Sequence, residues 1–500
     1  MNAEMTMIPL TCLPVRMLRS IGPTRLTALV AVVSAAVLLS ACATPGPDHT
    51  PLASTTPAAL GLAPQGDLSL APQWWRSLGD AQLNALVEQA LQGQPSLAVA
   101  RARVDKLASL GELTHAANGP QAQFSAEVAR QRYSENGLVP APIAGNTWDS
   151  GTLQVGASWS PDFFGQHAAE LAAVLGQARA AQADAAAAAN ALATQVSRSY
   201  VALARLLAQR AVVERTLAQR QAVLALTQQR FKAGLDTQVE RTQAEGTLPD
   251  ARTQLEILDE QIALARRQVA TLCGQAPSAQ DTLTPQLAAL SLPAQPGVLG
   301  ADLLGRRPDV VAARWRVEAA SQDVAAAKTQ FYPNINLSAF AGLNAIGLDK
   351  VLDLGSRQLG VTPALRLPLF DGGRLRAQLG GKQADRDLAI AQYNGVVLDA
   401  VKEAGDALTS AASLARQQQL LGETQRNADQ AYALAVKRYG AGLGNYLVVL
   451  GTENQVLAQR RLAVDLQARQ LDTRIALMKA LGGGWSEDSA ASPATVAAAR

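Results

Sequence analysis

In the first half of the chain, two stretches alternate apolar and polar residues with period two. Ala122, Phe124, Ala126 and Val128 alternate with Gln121, Gln123, Ser125 and Glu127, and Leu153, Val155, Ala157 and Trp159 with Thr152, Gln154, Gly156 and Ser158. The second half repeats the pattern at Ile335, Leu337, Ala339 and Ala341, then at Leu359, Val361, Leu365, Leu367 and Leu369. Period two makes one apolar and one polar face. Four strands of about ten residues are therefore predicted, the length of a tilted membrane strand.

Helical patterns fill most of the remainder. Residues 80–117 and 301–331 precede the strand pairs, while 166–232 and 374–439 follow them, contain no proline and are rich in alanine. Each of the latter could form one helix of about 100 Å at 1.5 Å per residue. After glycine turns at Gly234 and Gly442–Gly444 the chain returns through 237–273 and 445–481. The first return carries heptads at Leu248, Leu255, Ile262 and Val269, with Ala251, Leu258, Ala265 and Leu272 three residues later. The second carries Leu457, Val464, Leu471 and Met478. A 3.5-residue repeat implies left-handed supercoiling against neighbours, with small alanines allowing close approach. Pro249 predicts a kink or restart in the first return helix. The two shorter helices of each half, laid end to end, match the long one, with the Pro-rich connector 275–300 beside such a junction.

The two halves also share motifs in the same order. Gln94-Pro95-Ser96-Leu97 corresponds to Arg307-Pro308-Asp309-Val310, and Gly119-Pro120 to Tyr332-Pro333. Ser160-Pro161-Asp162-Phe163-Phe164-Gly165 corresponds to Leu367-Pro368-Leu369-Phe370-Asp371-Gly372, and Arg230-Phe231-Lys232-Ala233-Gly234-Leu235 to Arg438-Tyr439-Gly440-Ala441-Gly442-Leu443. This reads as an internal two-fold repeat, 74–274 and 301–483, followed by a flexible tail 484–500. Arg306, Arg307 and Asp309 read as a helix start, with Pro308 in the first turn and Asp309 favoured by the helix dipole. Four strands cannot close a barrel in lipid, so the chain must pool strands with copies of itself: eight from two copies, twelve from three.

The N-terminus supplies an address. An apolar run at 26–41 follows Arg16, Arg19 and Arg25 and ends in Leu39-Ser40-Ala41-Cys42, with either Met1 or Met17 as the start. Basic flank, apolar core and small residues make a secretory signal, 1–41. The Pro/Thr/Ala-rich stretch after Cys42 has little reason to pack and reads as a tether, 42–73. Composition then excludes several function classes. A net charge of +3 over 500 residues gives no footprint for nucleic acid. Three Cys and three His, scattered singly, build neither a disulfide framework nor a metal site. With no P-loop, GxSxG or HExxH, no cofactor and no enzymatic reaction are expected.

The residues resemble a known family, the TolC-type outer-membrane efflux proteins, in the lipoprotein (NodT-like) branch that serves resistance-nodulation-division pumps. The resemblance rests on the lipobox at Cys42, LGRRPDVVAAR at 304–314, Phe331-Tyr332-Pro333-Asn334, Leu369-Phe370-Asp371-Gly372-Gly373, and Arg438-Tyr439 followed by Gly442. It implies an α+β membrane protein: a homotrimer with a twelve-stranded outer-membrane β-barrel continuous with a long twelve-helix coiled-coil periplasmic α-barrel. It further implies a Gram-negative outer membrane as location, a periplasmic membrane-fusion adaptor and an inner-membrane pump as partners, and acylation of Cys42. Ala43, where bacterial lipoproteins often carry Asp for inner-membrane retention, favours outer-membrane sorting. The hairpin tips are implied to meet the adaptor, giving Arg230, Gly234, Leu235, Arg438, Gly442 and Leu443. The acidic pair that narrows the pore in some relatives falls here on Val448 and Gly451, and a nearby basic position on Gly444. Closure is therefore expected from Tyr446, Leu447 and Val448, with Asp236, Glu240 and Arg241 adding polar contacts. The competing reading is a periplasmic coiled-coil scaffold lipoprotein that never spans the membrane.

Overall fold

The computed structural model describes residues 46, 49–62, 70–294, 300–301 and 303–487. The expected signal 1–41, the expected lipidation residue Cys42 and the tail beyond 487 lie outside the described residues. In chain order the elements are α1 (Ala81–Gly93), α2 (Pro95–Asn118), β1 (Gln121–Arg132), β2 (Thr147–Trp159), α3 (Gln166–Lys232) and α4 (Gln238–Leu272). The second half follows with α5 (Leu303–Arg306), α6 (Pro308–Thr329), β3 (Asn334–Ile346), β4 (Arg357–Arg366), α7 (Arg374–Gly440) and α8 (Tyr446–Ala480). The long helices α3 and α7 are each 67 residues, and the returns α4 and α8 each 35.

Two compact units form. The sheet unit comprises 118–166 and 324–382. Its four strands are antiparallel in the order β1-β2-β3-β4, leaving β1 and β4 as edges. The strands run 10 to 13 residues. β4 stops at Arg366, short of Leu367 and Leu369, because Pro368 cannot donate to a ladder. Beside the sheet, Val324, Ala327, Phe331, Leu375 and Leu379 form a small core. Asp371 starts α7 by accepting from the amides of Gly373 (3.0 Å) and Leu375 (2.8 Å), which accounts for the Asp371-Gly372-Gly373 motif.

The helical unit contains the described residues of 50–117, 167–323 and 383–487. Its main core joins Trp74, Trp75 and α1 to the middle of α3, the C-terminal half of α4 and the end of α8. Tyr200 anchors it, fully buried, with its hydroxyl 2.8 Å from Asp80, the residue that caps α1 through the amides of Gln82 and Leu83. Close helix approach depends on small residues, since a Cβ at Gly176 of α3 would lie 3.0 Å from the Cβ of Ala319 in α6. Heptad residues Leu258, Ile262 and Val269 of α4 and Leu457, Leu471 and Met478 of α8 are buried.

Four sequence expectations are corrected. Residues 80–117 are two helices, because Gln94 precedes a proline and takes an extended conformation (ψ 122°). At the equivalent Arg307-Pro308, the helix start read from the sequence is where α6 begins, with Asp309 in its first turn. Each break faces the end of a return helix. A Cβ at Gly274, just past α4, would lie 2.9 Å from the Gly93 carbonyl, and one at Gly482, past α8, would drive into the Arg306 carbonyl. Of the kink or restart expected at Pro249, the restart does not occur: α4 is one helix through it, with Ala244 and Ala251 buried on either side. The supposed tether packs from Thr50: Asn394 accepts from the Thr55 amide (2.7 Å) and donates to the Ala53 carbonyl (3.0 Å), and Leu60 and Leu62 lie against α7. The start of the supposed flexible tail is also docked, with Trp485 against Val311 and Ala312 and Glu487 paired to Arg314 and Trp315.

The RRPD segment is the joint of the second half. Arg307 is buried, forks onto Asp309 (3.0 and 2.6 Å), reaches Glu403 of α7 (2.9 Å) and donates to the Ala480 carbonyl that ends α8 (3.2 Å). One guanidinium thus ties α6, α7 and α8, a planar donor fork suited to this use.

Candidate functional site

The register shows that the alternation of single strands becomes rows across the sheet. Phe124, Val155, Ala341 and Leu359 align in one row, and Ala122, Ala157, Ala339 and Val361 in the next. Facing side chains in paired strands lie on the same side, so these rows build one continuous apolar face. It is open: Leu359 is 83% exposed, and Phe124, Val128, Val155, Val361 and Leu365 are exposed with it. The opposite face carries polar contacts, Asn344 donating to Thr152 (2.8 Å) and Gln358 to Gln154 (3.2 Å). Exposed aromatics gather where strands meet helices: Trp159, Phe163, Phe370, and Phe164 stacked on Tyr332 at 5.1 Å. An apolar band ending in aromatics is the signature of a strand in lipid.

In the helical unit the candidate site is the pair of helical turns. α3 ends with Gly234 N–H to the Phe231 carbonyl (3.0 Å) and Leu235 N–H to the Arg230 carbonyl (2.9 Å). α7 ends identically, Gly442 to Tyr439 (3.0 Å) and Leu443 to Arg438 (2.8 Å). These paired bonds need a left-handed residue, and Gly234 (φ +71°) and Gly442 (φ +77°) supply it. The next helices start on side-chain caps: Thr237 and Glu240 form a capping box on α4, and Asn445 accepts from the Val448 amide on α8 (3.1 Å).

Between the turns lies a buried ionic knot. Arg230 forks onto Asp236 (3.0 and 3.1 Å), donates to the Tyr439 carbonyl (2.8 Å) and sits 4.5 Å over the Tyr439 ring. The Tyr439 hydroxyl bonds Asp236 and Thr227. Burial works against the Asp236 charge, but hydrogen bonds from Arg230 and Tyr439 outweigh it and hold the carboxyl below the usual carboxylate range. Burial, with the Asp236 bond, pushes Tyr439 up to about 12. Tyr446 packs beside it at 6.2 Å between rings.

The structure therefore divides the sequence-predicted residues. Arg230, Asp236 and Tyr446 are internal, holding one turn to the other. Leu235, Leu443, Leu447 and Val448 are exposed, and Arg241 lies over Phe231 and pairs with Glu245. Arg438 donates weakly to the Leu443 carbonyl (3.4 Å). Sequence reasoning passed over a second node, Arg220 with Asp250 (3.0 Å) and Glu453 (3.2 Å). Its signal was present. Arg220 and Glu453 both interrupt buried helical stripes, Val213-Thr216-Val223-Thr227 and Tyr446-Val449-Val456.

Known proteins agree with this geometry. The profile of the family described as outer membrane efflux protein matches residues 86–275 and 299–483. The multidrug resistance outer membrane protein MdtQ of Escherichia coli O157:H7 is 32% identical over 467 residues, covering 90% of this chain and 96% of that protein. The fusaric acid resistance protein FusA of Burkholderia cepacia is 36% identical over 374 residues, covering 72% and 70%. Among solved structures, the outer membrane protein VceC of Vibrio cholerae superposes with a TM-score of 0.78 at 35% identity, covering 83% of this chain and 99% of that one. The outer-membrane channel OprN gives 0.79 at 26% identity, covering 88% and 99%. The chain belongs to the outer membrane efflux protein family and serves as an outer-membrane efflux channel component.

Proposed function

We propose that this member of the outer membrane efflux protein family works as a homotrimer, a passive duct in which three sheets close one twelve-stranded barrel and three sets of helices form one twelve-helix periplasmic tunnel. The observation that carries the reading is the four-stranded sheet, apolar on one face and, among the described residues, unpaired at both β1 and β4. Lipid tolerates no open edge, so β1 of one copy must pair with β4 of the next. A non-spanning scaffold would have no use for such a face.

In this reading the halves 74–274 and 301–483 are two copies of one repeat joined by 275–300. Cleavage of 1–41 exposes Cys42 for acylation and anchoring in outer-membrane lipid. The channel takes small molecules such as drugs, solvents or metal ions from a resistance-nodulation-division transporter through a periplasmic adaptor. Exposed Leu235 and Leu443 at the turns suit the adaptor contact, with Gly234 and Gly442 setting the turn shape and Arg438 at the rim. Leu447 and Val448, exposed beside them, suit closure across the three-fold axis, with Glu240 and Arg241 at its margin. Energy comes from the pump, and the chain itself catalyses nothing and needs no cofactor.

The test is disulfide crosslinking of purified protein between single cysteines scanned along β1 and along β4. Crosslinks that produce a covalent trimer ladder support the reading. Crosslinks ending at dimer, or none at any register, would sink it.

A further inference from the structure

The Arg220 node has an uneven charge balance. Arg220 of α3 and Glu453 of α8 are almost fully buried, whereas Asp250 of α4 is half exposed. Two carboxylates thus face one guanidinium, which also donates to the Thr247 carbonyl (2.8 Å). Among the described residues, Glu453 receives one hydrogen bond, from Arg220 Nε to its Oε2 (3.2 Å), and its Oε1 is buried with no partner. Among the described residues, the other titratable groups around it are Tyr432 of α7 and Tyr446 of α8, with Arg460 of α8 acting on Tyr432. Both tyrosines are pushed up by burial and stay neutral, and Arg460 is paired with Asp429 (2.9 Å). A buried carboxylate with an orphan oxygen favours taking up a proton, whereas the exposed Asp250 is kept charged by water.

We propose that Glu453 is a proton-controlled catch between the two helical hairpins: mild acid fastens α8 onto the α3–α4 pair, and neutral pH leaves the contact charged and looser. The sign follows from linkage. Burial raises the Glu453 carboxyl above the ordinary range, and the Arg220 charge and hydrogen bond only partly offset it. The state that buries Glu453 therefore holds a proton more tightly than any state that hydrates it, so lowering the pH favours the buried, fastened state. Arg220 is not orphaned by that proton, since Asp250 and Thr247 remain its partners. The catch concerns the hairpins of one chain and stands apart from whether the tips close a pore.

The experiment is hydrogen exchange on the full-length protein in detergent, corrected for intrinsic rates, reading Tyr446–Leu457 of α8. In the wild type, protection of this segment is expected to rise between pH 7.5 and pH 5, by about tenfold for each unit by which burial raises the carboxyl. Glu453→Gln, which is neutral throughout, should show the acid-like protection already at pH 7.5 and little change with pH. Asp250→Asn should move the wild-type step to lower pH by removing the second negative charge. A wild-type segment whose protection is flat or falls with acid would overturn the catch, and this measurement stands even if Glu453→Gln does not fold. An undiminished pH step in a folded Glu453→Gln would overturn it equally. Bilayer conductance of the same proteins reads the channel separately, so failure of that reading leaves the exchange result interpretable.

Discussion

The hydroxyl of Tyr439 lies 2.5 Å from the carboxylate of Asp236, so a residue ending the second long helix is bonded to the turn after the first. Arg230 closes the knot from below by forking onto the same carboxylate. The two hairpins are held together at their tips by groups largely shielded from solvent.

Tyr439→Phe removes the hydroxyl and leaves Asp236 with Arg230 alone. Losing a buried hydrogen bond to a charged group costs about 1.5–3 kcal/mol. Single-channel conductance in planar bilayers is expected to rise or to flicker open more often than in the wild type. Wild-type traces from a folded trimer would show that this bond does not restrain the tips.

Acid should act on the same knot in the opposite sense to the Glu453 catch. Asp236 is held below the ordinary carboxylate range, so its contribution is fully present above that range and is lost as pH falls through the lowered value. Exchange protection of the turn at 233–237 is therefore expected to survive to pH 5 and to collapse only in stronger acid. Loss of protection between pH 7 and pH 5 would contradict the assignment.

Arg307→Ala should destabilise the helical unit by about 1.5–3 kcal/mol, because it removes the fork onto Asp309 and the donor to the Ala480 carbonyl, while Glu403 keeps Lys479 at 3.5 Å. Arg307→Lys should recover only part, since an ammonium cannot fork onto Asp309. Thermal unfolding followed by circular dichroism reads both, and a loss under 1 kcal/mol for the alanine variant would refute the joint.

Two glycines separate backbone strain from contact. Gly234→Ala meets no atom within 4 Å and pays only for its positive φ, about 1 kcal/mol. Gly482→Ala carries the same backbone cost (φ +91°) and also pushes a methyl into the Arg306 carbonyl. The second variant should unfold at clearly lower temperature, and equal melting would mean that the α8–α5 abutment is loose.

Asn394→Ala should free the strap at 50–56, costing about 1–2 kcal/mol for the two backbone bonds it holds. Limited proteolysis should then cut within 50–62 several times faster, while the rest of the chain stays resistant. An unchanged digestion pattern would mean that Leu60, Leu62 and the Leu52 amide on Asp387 suffice to hold the segment.

Local order was legible because its causes are local. Alternation at 121–128 and 152–159, heptads ending at Val269 and Met478, and glycines at 234 and 442 each act over a few residues, so strands, helices and turns were predicted close to where they lie. Breaks such as Gln94-Pro95 were mistaken for continuity because the apolar pattern runs on across them. Arg230 was expected at a surface because nothing in its neighbours announces Tyr439.

By itself, then, the sequence determined the elements, their order and the apolar face of the sheet, since periodicity and turn chemistry are properties of short stretches of chain. Only the tertiary structure decided which polar groups would be buried together. Arg220 meets Glu453, Arg307 meets the end of α8, and Asn394 grips residues 53 and 55. Each pairing joins positions far apart in the chain. A period names a face, but the partner of a charge on that face is set by packing.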